Sequence, residues 1–350
     1  MRKSRLLLAP LAALGLVVAA CGGDDGGSSS SEAPAASEAP SGGSCDLIGG
    51  VAFDTGGRGD GTFNDSAGEG ATRATSELGI EVKELEANVD EDRKANLELL
   101  VEGGAKVIVG VGFMFTDPMG EIAAANPDVT FGIVDSVVEA PNVRSLVFAE
   151  EQGSFLVGAA AALKSESGKI GFIGGQEIDL IKKFEAGYIA GAKYINPDIV
   201  VESKYLGPAG DNSAWGNVAG AKEIASGWYA DGADIIYTAA GGSGAGTIEA
   251  AVEAGKWAIG VDSDQYLTAS NDEQKARILT SMLKRVDVAV FETMKAACEG
   301  DTAGGIKVFD LSNDGVGYAT SGGYVDDIAG QLDELKAKIV SGEITVPTAP

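Results

Sequence analysis

Histidine is missing altogether from the 350 residues. No Ser-His-Asp or Cys-His nucleophile can therefore be assembled, nor any zinc site that needs imidazole. Positive charge is scarce as well: 26 Lys and Arg face 52 Asp and Glu, a formal net charge of −26. That balance opposes nucleic-acid binding, whose affinity comes from neutralising phosphates, and it is equally unsuited to holding a polyphosphate. Cysteine is limited to Cys21, Cys45 and Cys298, whose spacing fits no metal-binding pattern. Aromatic residues make up only 6 %. The one long apolar run, LLLAPLAALGLVVAA, is too short for a typical membrane span.

That run is flanked as a secretion signal is flanked. MRKSR precedes it and Val18-Ala19-Ala20-Cys21 follows, so residues 1–20 read as a signal peptide. The small-small-Cys ending resembles the bacterial lipobox, in which the cysteine, here Cys21, is lipidated. Ordinary signal cleavage beside an incidental cysteine is the alternative. Residues 21–44 hold no large apolar side chain and cannot build a core, which predicts a flexible tether. A soluble domain held just off the outer face of a membrane by its N-terminal lipid is the expectation.

From Cys45 onward, short β-rich runs alternate with amphipathic stretches. Strand-like runs fall at 47–53, 106–111, 129–134, 169–173, 199–205, 233–237 and 257–261, with helical patterns at 65–77, 90–102, 154–164, 178–194 and 247–253 between them. Such alternation predicts α/β architecture, with parallel sheets covered by helices on both faces. The repeats are too many for one small sheet, and a new alternation starts at Glu150, so two similar lobes with a cleft between them are expected. In open α/β sheets ligands bind beyond the carboxyl ends of the strands. Those ends carry the candidate chemistry.

The first strand ends at Asp54, and a glycine-rich loop leads to GDGTFNDSAGEGA. There Phe63 precedes Asn64-Asp65-Ser66, any of which suits a helix cap. Two roles fit Phe63: a ring held over a cleft for stacking, with Asp54 and Asn64 as polar hooks, or a hydrophobic staple packed one turn into the helix. Asp135 and Asp262 close two further strands, and a carboxylate there either accepts hydrogen bonds from a ligand or caps the next turn. Gly241 to Gly246 lie between a strand and a helix, with Asp262 following Gly242 by 20 residues. This imitates a dinucleotide fingerprint without its proper glycine spacing, and reads as a ribose-sized contact rather than a pyrophosphate cradle. Lys284, where a strand runs into a long helix, either reaches the cleft as a donor or is a solvated surface lysine. Arg58-Gly59-Asp60 spells an adhesion tripeptide, a match that chance supplies easily.

Taken together, DTGGRGDGTFNDSAGEG, FGIVDS, GKIGFIGG with FEAGYIAGAKYINPDI, GADIIYTAAGGSGAG, and WAIGVDSDQ followed by ILTSMLKRVDVAV resemble the basic membrane protein family of bacterial lipoproteins, the purine nucleoside receptors of ABC transporters. The resemblance covers about residues 46–342. It implies a two-lobed type I periplasmic-binding-protein fold of the ribose-binding kind, with three crossovers. Lobe 1 would comprise 46–149 plus 265–303, and lobe 2 150–264 plus 304–345. It implies a purine nucleoside as ligand, ABC permease subunits as partners, no enzymatic step and no cofactor. Carried over by motif, Phe63 would be one face of an aromatic sandwich and Asn64 its polar neighbour. Asp54 and Asp135 would address the base, and Gly242, Asp262 and Lys284 the ribose. Relatives often place a Phe in a segment that here reads Tyr205-Leu206-Gly207-Pro208-Ala209-Gly210-Asp211, with alanine at its position. Trp215 is the candidate replacement, or else a helix residue packed on its lobe. The framework also puts Cys45 and Cys298 at the same pole of one lobe, which predicts a disulfide.

Riboflavin and sugars remain alternative ligands within the fold. A nucleotide-dependent enzyme and a surface adhesin are the alternatives outside it.

Overall fold

The computed structural model describes residues 45–350. The signal at 1–20 and the whole tether at 21–44, Cys21 included, lie outside them. Among the described residues, twelve strands form two six-stranded sheets. In chain order they are β1 (Ile48–Phe53), β2 (Glu81–Glu86), β3 (Val107–Gly110), β4 (Thr130–Val134), β5 (Val143–Phe148), β6 (Lys169–Glu177), β7 (Val200–Pro208), β8 (Ile235–Ala239), β9 (Trp257–Asp262), β10 (Ile278–Lys284), β11 (Gly305–Phe309) and β12 (Val316–Tyr318). The first sheet runs β11-β5-β4-β3-β1-β2 and the second β12-β10-β9-β8-β6-β7. All pairings are parallel except β10 with β12.

Unbroken apolar runs are what such sheets require, because both faces are covered. Val107 and Val109 enter one core while Ile108 enters another. In the second sheet Ile235 and Tyr237 face one core and Ile236 the other. The first sheet carries helices Phe63–Leu78 and Val286–Cys298 on one face and Asp90–Glu102 and Thr116–Ala125 on the other. β2 escaped the sequence reading because its EVKELE pattern is that of a charged edge strand, half in water.

Not all of the 51 glycines serve turns. Helices Glu150–Lys164 and Asp179–Ile195 meet backbone to backbone: a Cβ at Gly187 would lie 2.1 Å from Glu151 O, and one at Gly191 1.9 Å from Phe155 O. Only glycine allows that approach.

The lobe boundaries expected at 265 and 304 shift. β10 pairs in parallel with β9, so residues 265–284 stay with the second lobe. Helix Val286–Cys298 and β11, paired with β5, return to the first. From Leu311 the chain is back in the second. Apolar patterning does not say which sheet a strand extends, since both offer an apolar neighbour of the same kind. The chain thus crosses three times, between Phe148 and Glu150, between Lys284 and Val286, and between Phe309 and Leu311. The first and third crossings are bound together: Ala149 N–H donates to Phe309 O at 2.9 Å, and the Phe148 and Phe309 rings stack with centroids 4.9 Å apart. Cys45 and Cys298 form a disulfide between the start of β1 and the end of helix Val286–Cys298. No helix among the described residues is long and apolar enough to cross a membrane.

Candidate functional site

The carboxyl ends of the two sheets enclose a cavity of about 270 Å³. Asp54, Phe63, Asn64, Asp135, Trp215, Gly242, Asp262 and Lys284 all line it. The first three and Asp135 come from one lobe, the rest from the other.

Lys284, the last residue of β10, is 2 % exposed. A lysine so buried needs compensation, and here it is supplied from several elements. The Asp135 carboxylate meets its ammonium at 2.6 Å, and Glu150 Oε1 at 3.5 Å. The rings of Phe63, Phe148 and Phe184 surround it at 5.1, 5.0 and 5.6 Å. Burial opposes the charge, but the carboxylates of Asp135, Glu150 and Asp262 outweigh it and hold the lysine above its ordinary pKa. Asp262 goes the other way for a carboxylate. Burial pushes it up to about 7, against the pull of Lys284.

Asp54 is tied on one side only. Its Oδ1 accepts from Arg93 Nε and Nη2, at 2.8 and 2.6 Å, and from Thr55 N–H at 2.6 Å. Beside Oδ2 stands Gly112, where a Cβ would lie 2.9 Å away, so glycine keeps that oxygen clear. Asn64 supports the same corner, accepting from Asp54 N–H at 3.3 Å and donating to Asp60 Oδ2 at 3.1 Å.

The helix cap is neither Asn64, Asp65 nor Ser66. Asp60, earlier in the loop, accepts from the N–H groups of Thr62, Asn64 and Asp65 at 2.9, 2.9 and 3.1 Å. Asp65 reaches back to the N–H groups of Gly59 and Gly61, each at 2.8 Å. Gly59 and Gly61 have φ of 95° and 67°, which favours glycine. This fastening also disposes of the adhesion tripeptide. The Asp60 carboxylate is consumed by the cap, and Arg58 folds back on the helix to donate to Asp65 O at 3.3 Å.

Phe63 is half-buried: it packs against the core and lines the cavity. On the opposite lobe Trp215 ends the short 3₁₀ turn Asn212–Trp215. Its ring lies over Gly175, where a Cβ would come within 2.3 Å. Ala209 is exposed and does not line the cavity. The glycine cluster after β8 has two structural jobs. Gly241 takes φ of 55° in the turn, and Gly246 lets helix Gly244–Ala254 approach another helix, its Cβ position being 2.0 Å from Val218 O. Neither job is that of a phosphate cradle.

Four residues here were not read from the sequence. Phe113, edge-on to Trp215 with centroids 6.3 Å apart, lies just beyond β3, and the strand-end rule applied to that strand would have found it. Glu150 follows β5 and was read only as a boundary. Nothing in a helical pattern marks Arg93 as buried, and nothing marks Phe184 as lining a cavity.

Known proteins resemble the chain over most of its length. The family described as "ABC transporter substrate-binding protein PnrA-like" matches residues 49–349. The chain is 35 % identical over 321 residues to the ABC transporter nucleoside-binding protein BmpA of Lactococcus lactis subsp. cremoris, covering 87 % of this chain and 90 % of that one. It is 34 % identical over 316 residues to the CD4+ T-cell-stimulating antigen of Listeria monocytogenes, covering 85 % and 87 %. Among solved structures, an ABC transporter solute-binding protein from Aeropyrum pernix K1 superposes with a TM-score of 0.73 at 29 % identity, covering 86 % of this chain and 93 % of the other.

Proposed function

The chain belongs to the PnrA-like family of ABC transporter substrate-binding proteins, and from that premise we propose that its cleft captures a purine nucleoside and delivers it to a membrane permease. The family is one of extracytoplasmic binding proteins, not of enzymes. Capture therefore needs shape and hydrogen bonding but no nucleophile, which suits a chain without histidine.

One observation carries the ligand class. Two aromatic side chains from opposite lobes, Phe63 and Trp215, line the same cavity as a buried cluster of Asp135, Asp262 and Lys284. Rings on both sides suit a planar base, and a charged cluster suits a hydroxylated sugar. On this reading Asp54 Oδ2 accepts from a base N–H with Asn64 beside it. Lys284 donates to the ribose hydroxyls, Asp262 accepts from them, and Gly242 offers backbone to the same group. Asp135 serves chiefly by holding Lys284. The relative from Lactococcus, named for nucleoside binding, supports the same class. A cavity of about 270 Å³ lies at the small end of ligand pockets, roughly 300 Å³ and upward.

A lipid on Cys21 and the tether to residue 44 would keep the domain at the membrane beside its permease. The anchored form would carry no other membrane contact. Mass spectrometry of solutes released by denaturing natively purified protein tests the ligand class. A purine nucleoside is expected, and a flavin or a free pentose would contradict it.

A further inference from the structure

A hydrogen-bonded chain leads from the cavity across the mouth of the cleft. It begins at Arg93, which is 3 % exposed in the first turn of helix Asp90–Glu102. Arginine enters such surroundings only when its charge and donors are met. Nε and Nη2 both go to Asp54 Oδ1, while Nη1 runs outward to Asp90 Oδ1 at 2.8 Å. That same Asp90 oxygen accepts from Asn212 Nδ2, 3.0 Å away on the other lobe. Asn212 Oδ1 accepts in turn from Gln176 Nε2 at 3.0 Å, and Gln176 is buried near the end of β6. Asn212 opens the turn that ends in Trp215. One guanidinium therefore contacts the carboxylate that faces the cavity and, through Asp90, the turn that carries the opposite ring.

The two ends of this chain differ in how readily they break. In the Asp54–Arg93 pair the side chains are 7 % and 4 % exposed, and separating them would strand a buried charge. The Asp90 side chain is 72 % exposed, so its bond to Asn212 exchanges for water at little cost. Parting of the lobes breaks the chain there and leaves Arg93 on Asp54. We propose that Arg93 is a positioning residue for the ligand-facing oxygen of Asp54, and that Asp90 and Asn212 form a reversible latch that holds the lobes closed. The inference rests on the nucleoside reading for its choice of probe, whereas the latch itself belongs to the lobes. A contact made only in the closed state slows release of a trapped solute and leaves its capture nearly unchanged.

Asn212→Ala, Asp90→Ala and the double variant test the latch, with inosine dissociation followed by stopped-flow tryptophan fluorescence. Each single change is expected to speed dissociation by about twofold to fivefold, with association unchanged within error. The double variant should be no faster than the faster single one, because both remove the same bond. Spin labels at Ala95→Cys and Ala219→Cys, exposed sites on the two lobes, read closure without ligand. The short-distance population should fall in Asn212→Ala. Arg93→Lys keeps the charge but not the fork, and should weaken inosine by roughly tenfold. On an Asp54→Asn background it should cost nothing further if Arg93 acts through Asp54. Unchanged dissociation and unchanged distances in the latch variants would overturn the latch. Equal Arg93→Lys losses on both backgrounds would overturn the positioning role. If the parent protein bound no nucleoside, the functional reading would fail, and the ligand-free distances would still decide the latch.

Discussion

Asp135 and Asp262 occupy the same place in the two sheets, one just past β4 and the other at the end of β9, and both have left-handed backbone, with φ of 66° and 63°. Aspartate tolerates that region better than most residues, at a modest cost in strain. Because the lobes repeat one topology and face each other, the repeat brings the two carboxylates to one buried ammonium, that of Lys284.

The first consequence is a pH dependence. Burial pushes Asp262 up to about 7 from an ordinary 3.8 in the unfolded chain. The folded protein thus holds this proton more tightly. Its contribution to stability is fully present below about pH 3.8 and is lost as pH rises through 7. Asp262→Asn removes the cost of ionising the buried group, so it should raise the Tm of ligand-free protein more at pH 8 than at pH 5. Scanning calorimetry at both values checks this, and equal shifts would contradict it. Nucleoside affinity should run in the opposite sense, falling as pH drops below 7, because the ionised carboxylate is the better acceptor for ribose hydroxyls.

Replacing Lys284 strands its partners. Lys284→Met leaves Asp135 and Glu150 buried without their cation, a loss on the order of 3–5 kcal/mol when one member of a buried pair is removed. Chemical denaturation should show the lower stability. Titration of whatever folded protein remains should show nucleoside binding abolished.

The aromatic partner of Phe63 can be identified by exchange. Trp215→Ala should cost about 1–3 kcal/mol in nucleoside binding, the usual range for loss of a base-stacking ring, and Trp215→Phe much less. Ala209→Phe should change affinity little, since Ala209 is exposed outside the cavity. Tighter binding by Ala209→Phe would show that the loop rearranges to bring that position in.

The disulfide should separate stability from binding. Cys45 precedes β1 and Cys298 ends its helix, both at the pole away from the strand ends that line the cavity. The bridge closes a loop of 253 residues, and native disulfides contribute typically about 2–5 kcal/mol. Replacing both cysteines with serine should lower the denaturation midpoint accordingly and leave nucleoside affinity within about twofold.

Residues with a local signature were legible in the sequence, and those defined by long-range placement were not. Asp54, Asp135 and Asp262 follow apolar runs, so the strand-end rule brings them forward directly. Arg93 looks like any polar helix residue until β1 places Asp54 against it. β10 reads as a strand, but its choice of sheet depends on how residues 263–277 lie over the second lobe. β11 and β12 are short, and β11 is largely exposed, so neither carries the apolar run that identifies a buried strand.

The most direct test of the central claim is calorimetric titration of residues 44–350, stripped of bound solute by partial unfolding and refolding, with inosine, guanosine, adenosine, riboflavin and ribose in parallel. Sub-micromolar binding of at least one purine nucleoside, more than about 8 kcal/mol, together with no measurable binding of ribose, is the predicted result. Binding of riboflavin or a free sugar with none by any nucleoside would contradict it.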